Sequence, residues 1–229
     1  MSKSFLGKKL LVFTAHPDDE SYAAAGTIFE NHRAGGKTML ICASLGEKGV
    51  SHLKKPLTKG QVKQLRKKEL QAAARFLSIS KLYIIGLPDG TISTYKKILF
   101  RKGLKIARHY RPDFILSFGP DGISGHKDHI ATGHIAETVA RRLKVPFIAF
   151  ALPPRLQRSA LGWLKTRRKS KHYAASLHFK KPDLRVAIEA RVKKKALRYH
   201  RSQMDNMNAF TGFPPYAVKE LLRAEYFIV

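Results

Sequence analysis

The sequence contains one cysteine, Cys42, so no disulfide framework can close within the chain. That absence suits a reducing compartment and predicts a cytoplasmic protein. Cys42 lies in the apolar run TMLICASL, where nothing nearby would lower its thiol pKa. It reads as a small core residue and not as a nucleophile. Long hydrophobic runs are also missing: no stretch approaches the ~20 residues that a membrane-spanning helix needs. The N-terminal MSKSFLGKKLLVFTAH turns polar too quickly for a secretory signal. Acidic residues are scarce, 16 against 44 Lys and Arg, which gives a formal net charge of +28. Finally, no G-x-G-x-x-G follows the first apolar run, which argues against a nucleotide cofactor at that turn.

What is present is ordinary globular material with an unusual charge distribution. The chain has 229 residues and 44% hydrophobic content, enough for one large α/β domain with its own core. The positive excess is local. Residues 48–111 hold seventeen basic residues against two acidic ones, and residues 155–201 hold sixteen against two. Residues 1–47 and 112–154 are balanced, with five of each and four of each. Such blocks make either a solubilising surface or an electropositive field for an anionic ligand, a membrane surface or nucleic acid.

Apolar runs alternate with amphipathic stretches. KKLLVFTAH, KTMLICASL, KLYIIGL, DFILSF and VPFIAFAL read as strands covered on both faces. Helices are predicted over AAAGTIFENHRAGG, stopped by Gly35 and Gly36, over residues 60–77, and around 95–110 and 129–143. This rhythm predicts a mostly parallel sheet with helices on both faces, a Rossmann-like α/β fold. DLRVAIEARVKKKALRYHRSQM reads as a short strand leading into a helix, and AEYFIV as a terminal edge strand. One domain over residues 1–229 is expected, with residues 155–195 a variable basic excursion placed as a lid.

Chemistry gathers in two turns. In a doubly wound sheet ligands collect beyond the carboxyl ends of the strands. After the first strand comes AHPDDE, which sets Asp18, Asp19 and Glu20 side by side in a highly basic chain. Adjacent carboxylates with little water to screen them call for a cation. His16 and Asp19, three residues apart, can converge on one ion, and imidazole nitrogen and carboxylate oxygen both suit zinc. After the fourth strand, FGPDGISGHKDH supplies His126 and His129, and spacing alone does not choose between them as third ligand. Glu20 is expected at the start of a helix, where a carboxylate meets the positive end of the dipole.

AHPDDE together with GHKDH resembles the LmbE-like, or PIG-L, family of metal-dependent de-N-acetylases acting on N-acetylglucosamine derivatives. The resemblance extends to LGEKG, RKKELQAAARFL, GLPDG, FGPDGISGH and HRSQ, and covers residues 8 to about 150 well. Lys127 departs from the family, where proline is usual, but leaves the ligand spacing intact. The resemblance implies His16, Asp19 and His129 as zinc ligands, Asp18 as general base and His126 as a helper at the carbonyl or leaving group. Ferrous iron or another divalent ion is the alternative to zinc. Asp128 is expected to hold His126 protonated and oriented. Arg66, Asp89 and Glu47 resemble positions near the sugar, although Arg66 has a helix neighbour, Glu69, with which it would pair in a purely structural role. The residue types of HRSQ assign it no role.

The expected activity is hydrolysis of an N-acetyl group from an aminosugar conjugate, releasing acetate and a free amine; another small amide is the alternative substrate. Two histidines and a carboxylate also describe non-haem iron oxygenases, but those need no second carboxylate beside the first, so Asp18 favours hydrolysis. Nucleic-acid binding is motivated by the charge alone, since aromatics are not interleaved with the basic blocks. Transient contact with an anionic membrane surface and homo-oligomer formation are compatible with the composition.

Overall fold

The computed structural model describes residues 5–49, 52–53, 56–157 and 180–229. Their centre is a seven-stranded sheet of order β3-β2-β1-β4-β5-β7-β6. β1 (Lys9–Thr14), β2 (Lys37–Ser44), β3 (Lys81–Leu87), β4 (Phe114–Phe118) and β5 (Phe147–Ala151) run parallel. β1 lies between β2 and β4 with Leu10, Leu11, Val12 and Phe13 all fully buried. This accounts for its continuous apolar sequence: a strand covered on both faces has no solvent side to mark.

α1 (Asp19–Ala23) and α2 (Ala25–Arg33) follow β1, and α3 (Lys59–Phe76) joins β2 to β3. α4 (Lys96–Tyr110) and α5 (Lys127–Leu143) flank β4. α6 (Ala190–Tyr199) packs on α2 and α3, whereas α4 and α5 pack on each other, giving the expected two helical layers. A capping box starts α3: Thr58 Oγ1 accepts the Gln61 N–H while Gln61 Oε1 accepts the Thr58 N–H. The predicted single helix after β1 is two helices, broken at Ala24 (φ −147). α5 starts at Lys127, ahead of the expected 129, so Asp128 and His129 stand in its first turn. Gly133 lets α5 lie directly on β4; a Cβ there would meet the Phe118 carbonyl oxygen at 2.2 Å.

The C-terminal strand departs from expectation. β7 (Ala224–Ile228) is not the edge: it pairs antiparallel with β5 on one side and with β6 (Leu184–Ala187) on the other. β6 holds the edge. A buried ion pair explains the insertion, because Glu225 on β7 meets Lys193 on α6 at 3.1 Å and accepts the N–H groups of Gly26 and Thr27 in α2. β7 is thereby fixed to α2 and α6. α7 (Pro215–Leu221) lies under a second apolar cluster with Leu156, Leu197, Phe210 and Tyr226. Most of the predicted lid, residues 158–179, lies outside the described residues. Among the described residues no helix is long and apolar enough to cross a membrane.

Candidate metal centre and active site

The strand order reverses between β1 and β4, and both motif-bearing turns leave the sheet at that point. AHPDDE follows β1 and GHKDH opens α5 after β4, which places both on one crevice. The crevice is the floor of a cavity of about 660 Å³ lined by His16, Asp18, Asp19, Arg66, His126 and His129 among others.

Each histidine that the resemblance implies as a ligand has one nitrogen anchored. His129 Nδ1 donates to the Gly122 carbonyl at 3.1 Å, and its ring stacks on Phe118, 4.1 Å between centroids. Its Nε2 then lies 3.3 Å from Asp19 Oδ1. His16 Nε2 is held by Asp89 Oδ1 at 3.1 Å and Asp128 Oδ2 at 3.3 Å. That leaves His16 Nδ1 on the side of Asp19, 3.8 Å from Oδ2. Asp19 Oδ2 is itself fixed by the N–H groups of Ala15 and His16. Metal-binding imidazoles characteristically carry such a partner on the far nitrogen.

These donors fit a divalent ion. Two anchored imidazoles flank one carboxylate, and the 3.3 Å from Asp19 to His129 matches the ligand-to-ligand edge of a tetrahedron with bonds of about 2 Å. One nitrogen each of His16, His126 and His129 lie within 4.8 Å of one another, which brings His126 into the same crevice as a further candidate donor. The electrostatics agree. Burial alone would lower the pKa of His16, but hydrogen bonds to Asp128 and Asp89 and the charges of Asp19 and Asp89 raise it to about 10. In the metal-free protein an imidazolium at His16 thus supplies the positive charge that the carboxylates demand. Asp19 is also buried, yet the neighbouring His129 and His16 hold its carboxyl well below the usual range.

Asp18 sits at the start of α1 with φ 104, a left-handed conformation that is costly for an L residue. Burial pushes its carboxyl up to about 6, while the Arg66 guanidinium opposes the rise. Arg66 is nearly buried and reaches Asp18 Oδ2 at 3.2 Å, the Gly46 carbonyl at 2.7 Å and the Pro17 carbonyl. Gly46 makes room for it, since a Cβ there would lie 2.0 Å from a guanidinium nitrogen. Glu69 is not the partner of Arg66; it accepts from the backbone N–H and hydroxyl of Ser202.

Several expected roles change with this geometry. The Asp128 carboxylate does not hold His126: it takes His16 Nε2 and the N–H groups of Gly90 and Ile92. What reaches His126 Nδ1 is the Asp128 backbone N–H, so His126 caps α5. Burial and the neighbouring His129 and His16 push the pKa of His126 down to about 3, so it is neutral, with its proton on Nε2. Asp89 lines the cavity but is engaged with His16 and the Lys48 N–H. Glu47 supports Asp89 by accepting its N–H at 2.9 Å. Glu20, expected only at a helix start, is fully buried with His200 Nε2 2.7 Å from its Oε1. The His200 contact was not legible because it joins residues 180 apart along the chain.

Comparison with known proteins places this site in a family. The family model described as PIG-L, GlcNAc-PI de-N-acetylase, matches residues 11–140. A probable N-acetyl-alpha-D-glucosaminyl L-malate deacetylase 2 of Bacillus anthracis is 34% identical over 136 residues, 58% of this chain and 60% of that protein. A 1D-myo-inositol 2-acetamido-2-deoxy-alpha-D-glucopyranoside deacetylase of Corynebacterium diphtheriae is 27% identical over 68% of this chain and 60% of its own length. The matches thus span about three fifths of these relatives. Among solved structures, N,N'-diacetylchitobiose deacetylase of Pyrococcus horikoshii superposes with a TM-score of 0.67 at 23% identity, over 96% of this chain and 82% of that one. The 4-carboxy-2-hydroxymuconate hydratase GalB of Pseudomonas putida superposes equally well, with a TM-score of 0.68 at 21% identity over 96% and 95%. Structural likeness at these identities establishes the fold and no more. The family match runs from β1 to the helix that carries His129, through every residue of the crevice floor, and the chain belongs to the PIG-L family.

Proposed function

We propose that this protein is a metal-dependent hydrolase that removes the N-acetyl group from an N-acetylglucosamine-type conjugate, with His16, Asp19 and His129 holding zinc. The observation that carries this reading is the pair of anchored histidines flanking Asp19 with a second carboxylate, Asp18, beside it. The two curated relatives, whose names specify GlcNAc-malate and GlcNAc-inositol deacetylation, support the substrate class. A divalent ion at this point supplies Lewis-acid polarisation of the amide and makes water easier to deprotonate.

The chain's own residues do the remainder. Asp18 takes a proton from the attacking water and returns it to the departing amine. A carboxyl raised to about 6 suits that exchange near neutral pH, being mostly ionised yet basic enough to accept. Arg66 keeps the Asp18 carboxylate aimed by holding Oδ2. His126, with its proton on Nε2, donates to the carbonyl oxygen as negative charge develops there. Asp89 and Asp128 orient His16, and Glu47 steadies the turn of Asp89. Asp89 and Arg66 also line the cavity that would receive the sugar.

The test is amine release from a panel of N-acetylglucosamine conjugates by the purified protein. Release that stops on chelation and returns with zinc is the expected result. No release from any conjugate, with zinc demonstrably bound, contradicts the reading.

A further inference from the structure

We propose that His200 is a positioning residue that acts through Glu20 to hold Asp18 in its left-handed turn. This rests on Asp18 being the base, as proposed above. Asp18 needs such support: at φ 104 and ψ −28 its backbone is in a region that few L residues occupy. Strain of this kind persists only where the surroundings over-determine it. The Asp18 carbonyl accepts the N–H groups of Ser21 and Tyr22, and its own N–H donates to Glu20 Oε2 at 3.2 Å. Glu20 is therefore the brace on the amide side of the turn.

Glu20 is in turn fixed from across the molecule. Its Oε1 accepts the Ser21 hydroxyl and His200 Nε2, each at 2.7 Å, and both Glu20 and His200 are at most 1% exposed. A carboxylate in such a place needs a donor, and His200 is the one that arrives from outside α1. Burial lowers the pKa of His200, but the charge and hydrogen bond of Glu20 raise it, so the pair is electrostatically matched. The other ring nitrogen, Nδ1, is buried without a partner. A side chain that merely filled space would avoid that cost. One nitrogen is used, and it is used on Glu20.

The rest of HRSQ makes the brace rigid. Ser202 gives its N–H and hydroxyl to Glu69 on α3, at 2.8 and 2.6 Å. Glu69 is one turn along α3 from Arg66, which holds the other side of the Asp18 turn. The end of α6 and the turn after it, through His200 and Ser202, thus tie together both supports of the base.

The geometry predicts which substitutions work. A glutamine at 200 can place its amide nitrogen where Nε2 stands, whereas an asparagine reaches only as far as Nδ1. His200→Asn in the full-length protein is expected to lower kcat about 10²-fold, with KM and bound zinc little changed, as for a misplaced catalytic group. His200→Gln is expected to stay within about threefold of wild type, on the same principle that correct placement is what matters. A crystal structure of His200→Asn is expected to show Asp18 relaxed from φ near +104. The proposal is overturned if His200→Asn keeps wild-type kcat with Asp18 unmoved. It is equally overturned if both variants lose zinc and thermal stability together with activity, which is the mark of a packing residue. Should wild type prove inactive on every acetamido sugar, the proposed reaction fails, and the Asp18 backbone in His200→Asn still decides the positioning claim.

Discussion

Two carboxylates share Nε2 of His16, at 3.1 and 3.3 Å, and together with Asp19 they keep the ring protonated to about pH 10 in the metal-free protein despite its burial. A metal that takes Nδ1 must therefore expel a proton. Apparent zinc affinity should rise about tenfold per pH unit between pH 7 and 9, one proton being released per ion bound. Competition with a chelator across that range measures it, and a flat profile would contradict the assignment. The linkage has a second consequence. A histidine raised from 6.5 to about 10 stabilises the metal-free fold fully below pH 6.5 and loses that contribution as pH climbs towards 10. Alanine at His16, Asp19 or His129 should lower zinc content after dialysis while the protein still folds; full retention in all three variants would remove the site. At this scale the motif residues were legible because AHPDDE is contiguous. The partners of Asp128 and Glu20 were not, because they lie 112 and 180 residues away and spacing cannot state where a side chain turns.

Elements were legible where one strong local signal set them. β3 is the run KLYIIGL, and α3 starts one residue before the stretch read as helical because Thr58 and Gln61 cap each other. Thr58→Ala should cost about 1 kcal/mol of stability by removing that cap, read as a shift in denaturant midpoint. β7 was misplaced at the edge because its neighbour is chosen by a buried contact. Lys193 and Glu225 are each within 2% of full burial, and the carboxylate also serves two α2 amides. Glu225→Gln should destabilise by about 3 to 5 kcal/mol, since it strands a buried ammonium. Lys193→Met combined with Glu225→Gln should recover part of that loss, because the ammonium is gone and the glutamine oxygen still accepts from α2. A double variant that loses as much as the Lys193→Met and Glu225→Gln single variants summed would show that the pair is not coupled.

Over the whole sequence, charge-balanced stretches that carry the motifs alternate with strongly basic ones. Thirty-three of its forty-four basic residues fall in 48–111 and 155–201, and the segment KTRRKSK lies outside the described residues. A field of this sign favours a conjugate whose aglycone carries a phosphate or carboxylate. Because exposed charges are screened over about 8 Å at physiological ionic strength, the preference should shrink with salt. The check is kcat/KM for an anionic and a neutral conjugate at low and high salt; equal salt dependence would leave the basic blocks as solubilising surface. The central claim is that the acidic cluster of the first turn divides its labour, with Asp19 on the metal and Asp18 on the proton. Asp18→Asn tests it most directly, because asparagine keeps the shape but cannot accept the proton. With zinc bound at the wild-type level, amine release from the best conjugate should fall by about 10² to 10⁴. Near-wild-type turnover in that variant would contradict the account.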